Sequence, residues 1–254
     1  MTTPGLDPVS IHNAKGAAPV VLVCEHASRL IPERYKGLGL DAEARRAHIA
    51  WDIGALDVAQ GLATRMDAPL VAGGVSRLVY DCNRPLEAHD AIPPRSEIYD
   101  IPGNRDLSDA DRQARCAAIH DPFHEAVSEV IDAKADPALI TIHSFTPIYK
   151  GARRALDLGF LFHGDHDALA QSALAAEQEA GRYTARLNEP YDASDGVTYS
   201  LARHGVARGL PALMIEIRND LIDTPETADT MADHLSQTLT RALSVCNPGK
   251  EPRS

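Results

Sequence analysis

The sequence lacks most of what would place it in several large protein classes. No apolar run approaches the ~20 residues that a membrane-spanning helix needs. Nothing from Met1 to Pro19 joins a basic head to an apolar core, so no secretory signal is expected. Basic residues are in the minority, with 25 Lys and Arg against 36 Asp and Glu. The resulting net charge of -11 argues against a nucleic-acid binder, which would carry a basic face. It leaves room for a local basic pocket that takes an acidic substrate. Cysteine is sparse: Cys24, Cys82, Cys116 and Cys246 are scattered with no CxxC pair. Reduced thiols in a cytoplasmic protein are therefore expected, with Cys24 a small buried hydrophobe. What remains is ordinary for a soluble globular chain: 254 residues, 44% hydrophobic and 24% charged, enough for a sizeable core in at most two domains.

Three apolar runs stand out, and each ends in polar chemistry. Val20-Val21-Leu22-Val23-Cys24 runs into Glu25-His26, Ala138-Leu139-Ile140-Thr141-Ile142 into His143-Ser144, and Ala212-Leu213-Met214-Ile215 into Glu216-Ile217-Arg218. Short continuous apolar runs read as strands buried on both faces, as in parallel sheets under helices. Polar groups cannot stay buried there without partners, so these belong at the carboxyl edge, where open α/β sheets bind ligands. Helical spacing over Leu56–Met66, the composition of Ala168–Ala180 with Gly181 as its stop, and some twenty residues after the cap Thr224 supply alternating helices. Ser108 is expected to cap a helix running through Arg115, Ile119, Phe123, Val127 and Ile131. Asp41 is expected to cap a helix over Ala42–Ile49, and Val75–Tyr80 to continue as a strand. Residues 86–107 read as a long loop of the kind that serves as a lid. The sum is one α/β domain with a mostly parallel sheet over 19–246, a flexible segment at 1–18 and a flexible tail at 247–254.

His26 and His143 have the chemistry of metal ligands, since neutral imidazole binds zinc and catalytic zinc takes three protein ligands plus water. The third ligand is Glu25 or Asp52. Neighbours on an extended strand point to opposite sides, which favours Asp52. Without metal, His26 and His143 are ordinary hydrogen-bonded histidines. Glu216, flanked by Ile215 and Ile217, is either a general base with a raised pKa or the ion-pair partner of Arg218 or another arginine. Asn83-Arg84 offers a donor and a guanidinium suited to a carboxylate or an oxyanion. Arg77, Lys150, Arg153 and Arg218 are further cations near strand ends, and in an acidic chain they suggest an anionic substrate. His120 and His124, spaced i,i+4, read as a solvated helix face, and His163 and His166 as crevice or cap residues.

Cys24-Glu25-His26-Ala27-Ser28 with Ile31-Pro32, Trp51-Asp52-Ile53-Gly54-Ala55, Tyr80-Asp81-Cys82-Asn83-Arg84-Pro85, Ile142-His143-Ser144-Phe145-Thr146-Pro147 and Ile215-Glu216-Ile217-Arg218-Asn219-Asp220, in this order across about 18–240, together resemble the N-formylglutamate amidohydrolase family. The same residues echo the wider zinc carboxypeptidase and aspartoacylase group. The resemblance implies a phosphorylase/hydrolase-like fold, three layers αβα around a mixed, mostly parallel twisted sheet. It implies Zn2+ on His26 and His143, Asn83 and Arg84 on the substrate or its oxyanion, and Glu216 as the base. Lys150, Arg153 and Arg218 are further candidates for substrate carboxylates. The carboxypeptidase-type HxxE would put a Glu at position 29, where this chain has Arg29, so Asp52 or Glu25 supplies the acidic ligand. The implied reaction removes formyl from N-formyl-L-glutamate, in amino-acid metabolism and histidine degradation. Other N-acyl amino acids or small peptides are alternative substrates, and a non-catalytic binder of small anions is the alternative class. The expected partner is a small anionic N-acyl amino acid, with no nucleic acid and no membrane, and the chain is expected to be a monomer or a small homo-oligomer.

Overall fold

The computed structural model describes residues 7–191 and 195–246. In chain order the elements are β1 (Val9–His12), β2 (Val20–Cys24), α1 (Ala55–Arg65), β3 (Leu70–Gly73), a small hairpin of β4 (Arg95–Ser96) and β5 (Tyr99–Asp100), α2 (Asp109–Arg115), α3 (Asp121–Asp132), β6 (Ala138–Phe145), a second hairpin of β7 (Ile148–Tyr149) and β8 (Ala152–Arg153), β9 (Leu158–Leu161), α4 (Ala168–Ala180), β10 (Ala185–Leu187), β11 (Ala212–Arg218) and α5 (Pro225–Cys246). Seven strands form one sheet in the order β1-β3-β2-β6-β11-β9-β10. The central four, β3, β2, β6 and β11, are parallel. The edges run the other way: β1 is antiparallel to β3, and β9, with β10 parallel to it, is antiparallel to β11.

Strand periodicity divides the core into two layers. Val20, Leu22, Ile140, Ile142, Leu213 and Ile215 face α1, α4 and α5. Val21, Val23, Leu139, Ala212 and Met214 face α3 and the 75–101 stretch. Both faces are covered, so these strands are apolar at nearly every position. The result is the three-layer α/β architecture of the resemblance. Among the described residues no helix is long and apolar enough to cross a membrane.

Four expectations change. Residues 9–12, inside the expected flexible segment, form an edge strand because Val9 to His12 can complete the open edge of β3. Residues 1–6 and the tail at 247–254 lie outside the described residues. Residues 42–50 are a series of turns rather than a helix, although Asp41 Oδ1 does accept from the Ala44 N–H (2.8 Å). Val75–Tyr80 is also turns: its apolar side chains are buried against the sheet face without joining the sheet. The 86–107 stretch is pinned rather than free to act as a lid. Asn104 donates to the carbonyls of Leu78 and Pro93 (both 2.8 Å), and Arg115 donates to its side-chain oxygen (2.7 Å).

Candidate active site

The site forms where the parallel strands end. His143 and Glu216 are register partners on β6 and β11, and by strand periodicity both lie on the α3 side of the sheet. β2 stops at Cys24 and the chain turns at Glu25-His26. Asp52 arrives on the turn before α1. Its N–H donates to the His26 carbonyl (3.0 Å), and the Ser144 hydroxyl donates to the Ile53 carbonyl (2.8 Å). Two residues on, Gly54 has φ +77°, and a Cβ there would meet the Ile222 carbonyl at 2.1 Å. Only glycine permits that turn.

His26 Nδ1 lies 3.3 Å and His143 Nδ1 2.8 Å from the same oxygen, Asp52 Oδ2. All three residues are buried, and their donor atoms lie within 4.8 Å of one another. The far nitrogen of each ring faces another carboxylate. His26 Nε2 is 2.7 Å from Asp81 Oδ1, and His143 Nε2 is 3.1 Å from Glu25 Oε2, a charge contact without the alignment of a hydrogen bond. Arg77 spans Asp52 (3.3 Å) and Asp81 (3.0 Å). Two imidazoles and a carboxylate converging on one point, each ring held from behind by an acid, fit the donor set and outer shell of a catalytic zinc. The charge balance fits as well: Glu25, Asp52, Asp81 and Glu216 are buried here with Arg77 as the fixed cation.

Without a metal, the imidazoles carry that balance. Burial and Arg77 push the His26 pKa down, but Asp81 and Asp52 outweigh them and raise it. Burial opposes charge on His143 too, yet Glu25 and Asp52 lift it well above its ordinary value. Asp52 and Asp81 are held low by the imidazoles, with Arg77 contributing at Asp81, and burial is overcome in both. Glu216 behaves differently. Burial dominates and pushes its pKa up to about 7, against the pull of His143. Its Oε2 is buried without a hydrogen-bond partner.

Arg218 is not the partner of Glu216. It pairs with Asp157 (2.8 Å) and Asp220 (2.7 Å) and donates to the Leu156 carbonyl. Asn83 and Arg84 brace the site wall. The Asn83 amide donates to the Val197 carbonyl and its oxygen accepts from the Ser200 N–H (3.0 Å). Arg84 bonds Asp90 (2.7 Å) and the carbonyls of Asn83 and Gly196 (both 2.9 Å). Lys150 and Arg153 are exposed on the β7–β8 hairpin. His163 bonds the Thr198 hydroxyl, and His166 is exposed. His120 and His124 are buried rather than solvated, because α3 packs them against 80–82 and 199–204.

The sequence assigns no role to Asp81, Arg154 or Tyr191 and offers Arg77 as one cation among several. The i,i+4 spacing of Arg77 and Asp81 was the available signal. Arg154 lies 4.6–5.5 Å over the rings of Phe145, Tyr149 and Tyr191 and bonds the Tyr191 hydroxyl (3.3 Å). Tyr191 has its pKa raised to about 12 by burial and then by the Glu216 charge.

A buried acid and two carboxylate-backed imidazoles at the carboxyl edge of a doubly covered sheet suit a hydrolase on a three-layer α/β scaffold. The family follows from comparison. The model of the N-formylglutamate amidohydrolase family matches residues 18–223, and the chain belongs to that family, whose members hydrolyse amide bonds. A gene product of Agrobacterium tumefaciens of known crystal structure is 46% identical, with 94% of this chain and 96% of that chain covered and a TM-score of 0.91. The N-formylglutamate amidohydrolase of Ralstonia eutropha JMP134 shares the fold at 19% identity, with a TM-score of 0.63 over 96% of this chain and 100% of that one. No curated protein sequence matches the chain.

Proposed function

We propose that this amidohydrolase depends on zinc and cleaves N-formyl-L-glutamate to formate and glutamate. One observation carries the reading: His26 Nδ1, His143 Nδ1 and Asp52 Oδ2 converge beside a buried Glu216 whose pKa lies near 7. These three residues would hold the zinc, which when bound supplies Lewis acidity and a more acidic water. Glu216 takes the proton of the attacking water as its oxygen adds to the formyl carbon. As the C–N bond breaks, Glu216 returns that proton to the departing amine. A pKa near the working pH serves both transfers. Asp81 and Glu25 keep the imidazoles oriented from behind, and Arg77 holds Asp52 and Asp81 in place. Asn83 and Arg84 shape the wall, with Arg84 assigned to the substrate carboxylate or oxyanion. Arg154, stacked on its aromatic rings next to Tyr191, is assigned to the side-chain carboxylate, with Lys150 and Arg153 as outer cations.

The test is a panel of N-formyl, N-acetyl and N-succinyl amino acids assayed for released amine, with zinc measured by elemental analysis on the same protein. N-formylglutamate is expected to give the highest kcat/KM, with zinc bound and one equivalent of it lost in His143→Ala. Preference for another acyl group would reassign the substrate. Zinc-loaded protein that releases no amine from any member would point to a binder of small anions.

A further inference from the structure

Away from this site, the α2–α3 junction brings together Cys116, His120 and Asp121. Residues 116–120 form a π turn, closed by the Asp121 N–H donating to the Cys116 carbonyl. In an α-helix, residue i+5 points well away from residue i. The wider π turn returns it above residue i, so a thiol, an imidazole and a carboxylate share one face. Cys116 Sγ is 3.7 Å from His120 Nδ1 and 3.5 Å from Asp121 Oδ1, and His120 Nδ1 is 2.9 Å from that oxygen.

Two kinds of chemistry use this residue set, and the geometry separates them. A nucleophilic relay needs the thiol on one ring nitrogen and the acid on the other. Here both face Nδ1, while Nε2 is 3.1 Å from the Tyr199 hydroxyl. Three donors turned to one point instead match a cation site. Zinc bonds of about 2.3 Å to sulfur and about 2.0–2.2 Å to nitrogen and oxygen give tetrahedral edges of about 3.4–3.6 Å. The observed separations reach that range with side-chain shifts of a few tenths of an ångström.

A second observation points the same way. The Tyr80 hydroxyl is buried, makes no well-formed hydrogen bond and faces the Cys116 sulfur. A neutral thiol is a weak acceptor and leaves this buried donor poorly satisfied. Beside a metal-bound thiolate it has a charged acceptor. Asp121 is exposed and leaves the site open to solvent. The His124 ring, 4.3 Å from His120, separates this cluster from the wall of the amidohydrolase site, where His124 bonds the Cys82 carbonyl.

We propose that Cys116, His120 and Asp121 form a second divalent-cation site, of the zinc class, distinct from His26, Asp52 and His143. The site clamps the junction of α2 and α3.

Cobalt titration of the metal-stripped full-length protein tests this, because cobalt bound to a thiolate gives a charge-transfer band in the near ultraviolet. Wild type is expected to show the band. Cys116→Ser should abolish it and lower the bound metal by one equivalent. His143→Ala should keep the band while losing the other equivalent, so failure of the hydrolase reading and failure of this one are distinguishable. His120→Gln, which leaves the thiol in place, should weaken cobalt binding at the band at least tenfold and serves if Cys116→Ser does not fold. Tyr80→Phe should also weaken it. Absence of the band in folded wild type, or its survival in Cys116→Ser, would overturn the proposal.

Discussion

Glu25, on the turn after β2, and Glu216, on β11, flank the same histidine, and they end with opposite shifts in proton affinity. Both are buried. For Glu25 the imidazoles of His143 and His26 outweigh burial and lower the pKa. For Glu216 burial wins and raises it to about 7. A base must be able to hold a proton, which is why the proposed mechanism gives that role to Glu216. Glu216→Gln keeps the shape and cannot accept the proton. Since general-base catalysis contributes about 10²–10⁴-fold, kcat should fall at least about 100-fold. Melting temperature and zinc content should hardly move, because Arg218 already pairs with Asp157 and Asp220 and no cation is stranded. A retained kcat would take Glu216 out of the reaction. The two candidate acidic ligands separate in the same way. Asp52→Asn should remove an inner donor and abolish tight zinc binding at this site, whereas Glu25→Gln disturbs only the far side of His143 and should weaken zinc there by about 10–100-fold. Zinc titration of the two variants in which Glu25→Gln proved the more damaging would exchange their roles.

At the scale of elements, the site depends on how closely the ends of β2 and β3 approach. A Cβ added to Gly73, the last residue of β3, would lie 2.1 Å from the Glu25 carbonyl. Gly73→Ala must therefore push the turn that carries His26, and it should lower both melting temperature and zinc affinity. Gly164→Ala, in open space at φ +59°, should cost only local backbone strain of about 1 kcal/mol. Equal zinc affinity in Gly73→Ala and wild type would show that the turn tolerates the shift. The same elements show what was legible beforehand. Strands covered on both faces must be apolar throughout, so β2, β6 and β11 announce themselves, and the polar residues that end them mark the edge. Val75–Tyr80 carries the same apolar signal for another reason, since its side chains are buried by turns lying on the sheet face. The α2–α3 run reads as one helix, and Asp121-Pro122 was its available warning, because proline has no N–H for the helical ladder. The burial of His120 and His124 depends on partners some 40–80 residues away, which no local pattern reports. Asn83 and Arg84 read as ligand groups, and the 196–200 backbone that also engages them is too remote in sequence for a local pattern to report.

Those remote contacts also couple the helical layer to the site wall across the whole molecule. His124 Nε2 donates to the Cys82 carbonyl (2.8 Å), which leaves its Nδ1 to accept from His204 Nε2–H (2.7 Å). These tautomers follow from the partners, and a proton added to His124 would set two N–H groups against each other. Burial accordingly lowers His124 to about 2 and His204 to about 4. The unfolded chain binds these protons near the ordinary histidine value of 6.5. Their contribution to stability therefore falls as pH drops from 6.5 towards 4, by up to about 1.4 kcal/mol per pH unit for each imidazole. Glu216 works against this. Its folded pKa is raised from 4.5 to about 7, so the folded state binds the extra proton and stability falls as pH rises through that window. Acidification also relieves the self-repulsion of a chain with net charge -11. In metal-free wild type the two histidines thus act against two opposing effects. Glu216→Gln removes one of them and should steepen the loss of stability between pH 6.5 and 4.5 by up to about 1.4 kcal/mol per unit. Urea unfolding of metal-free wild type and Glu216→Gln at several pH values in that range measures the difference. Parallel pH profiles for the two proteins would mean that Glu216 titrates at its ordinary value, and the raised proton affinity on which its role as base depends would be lost with it.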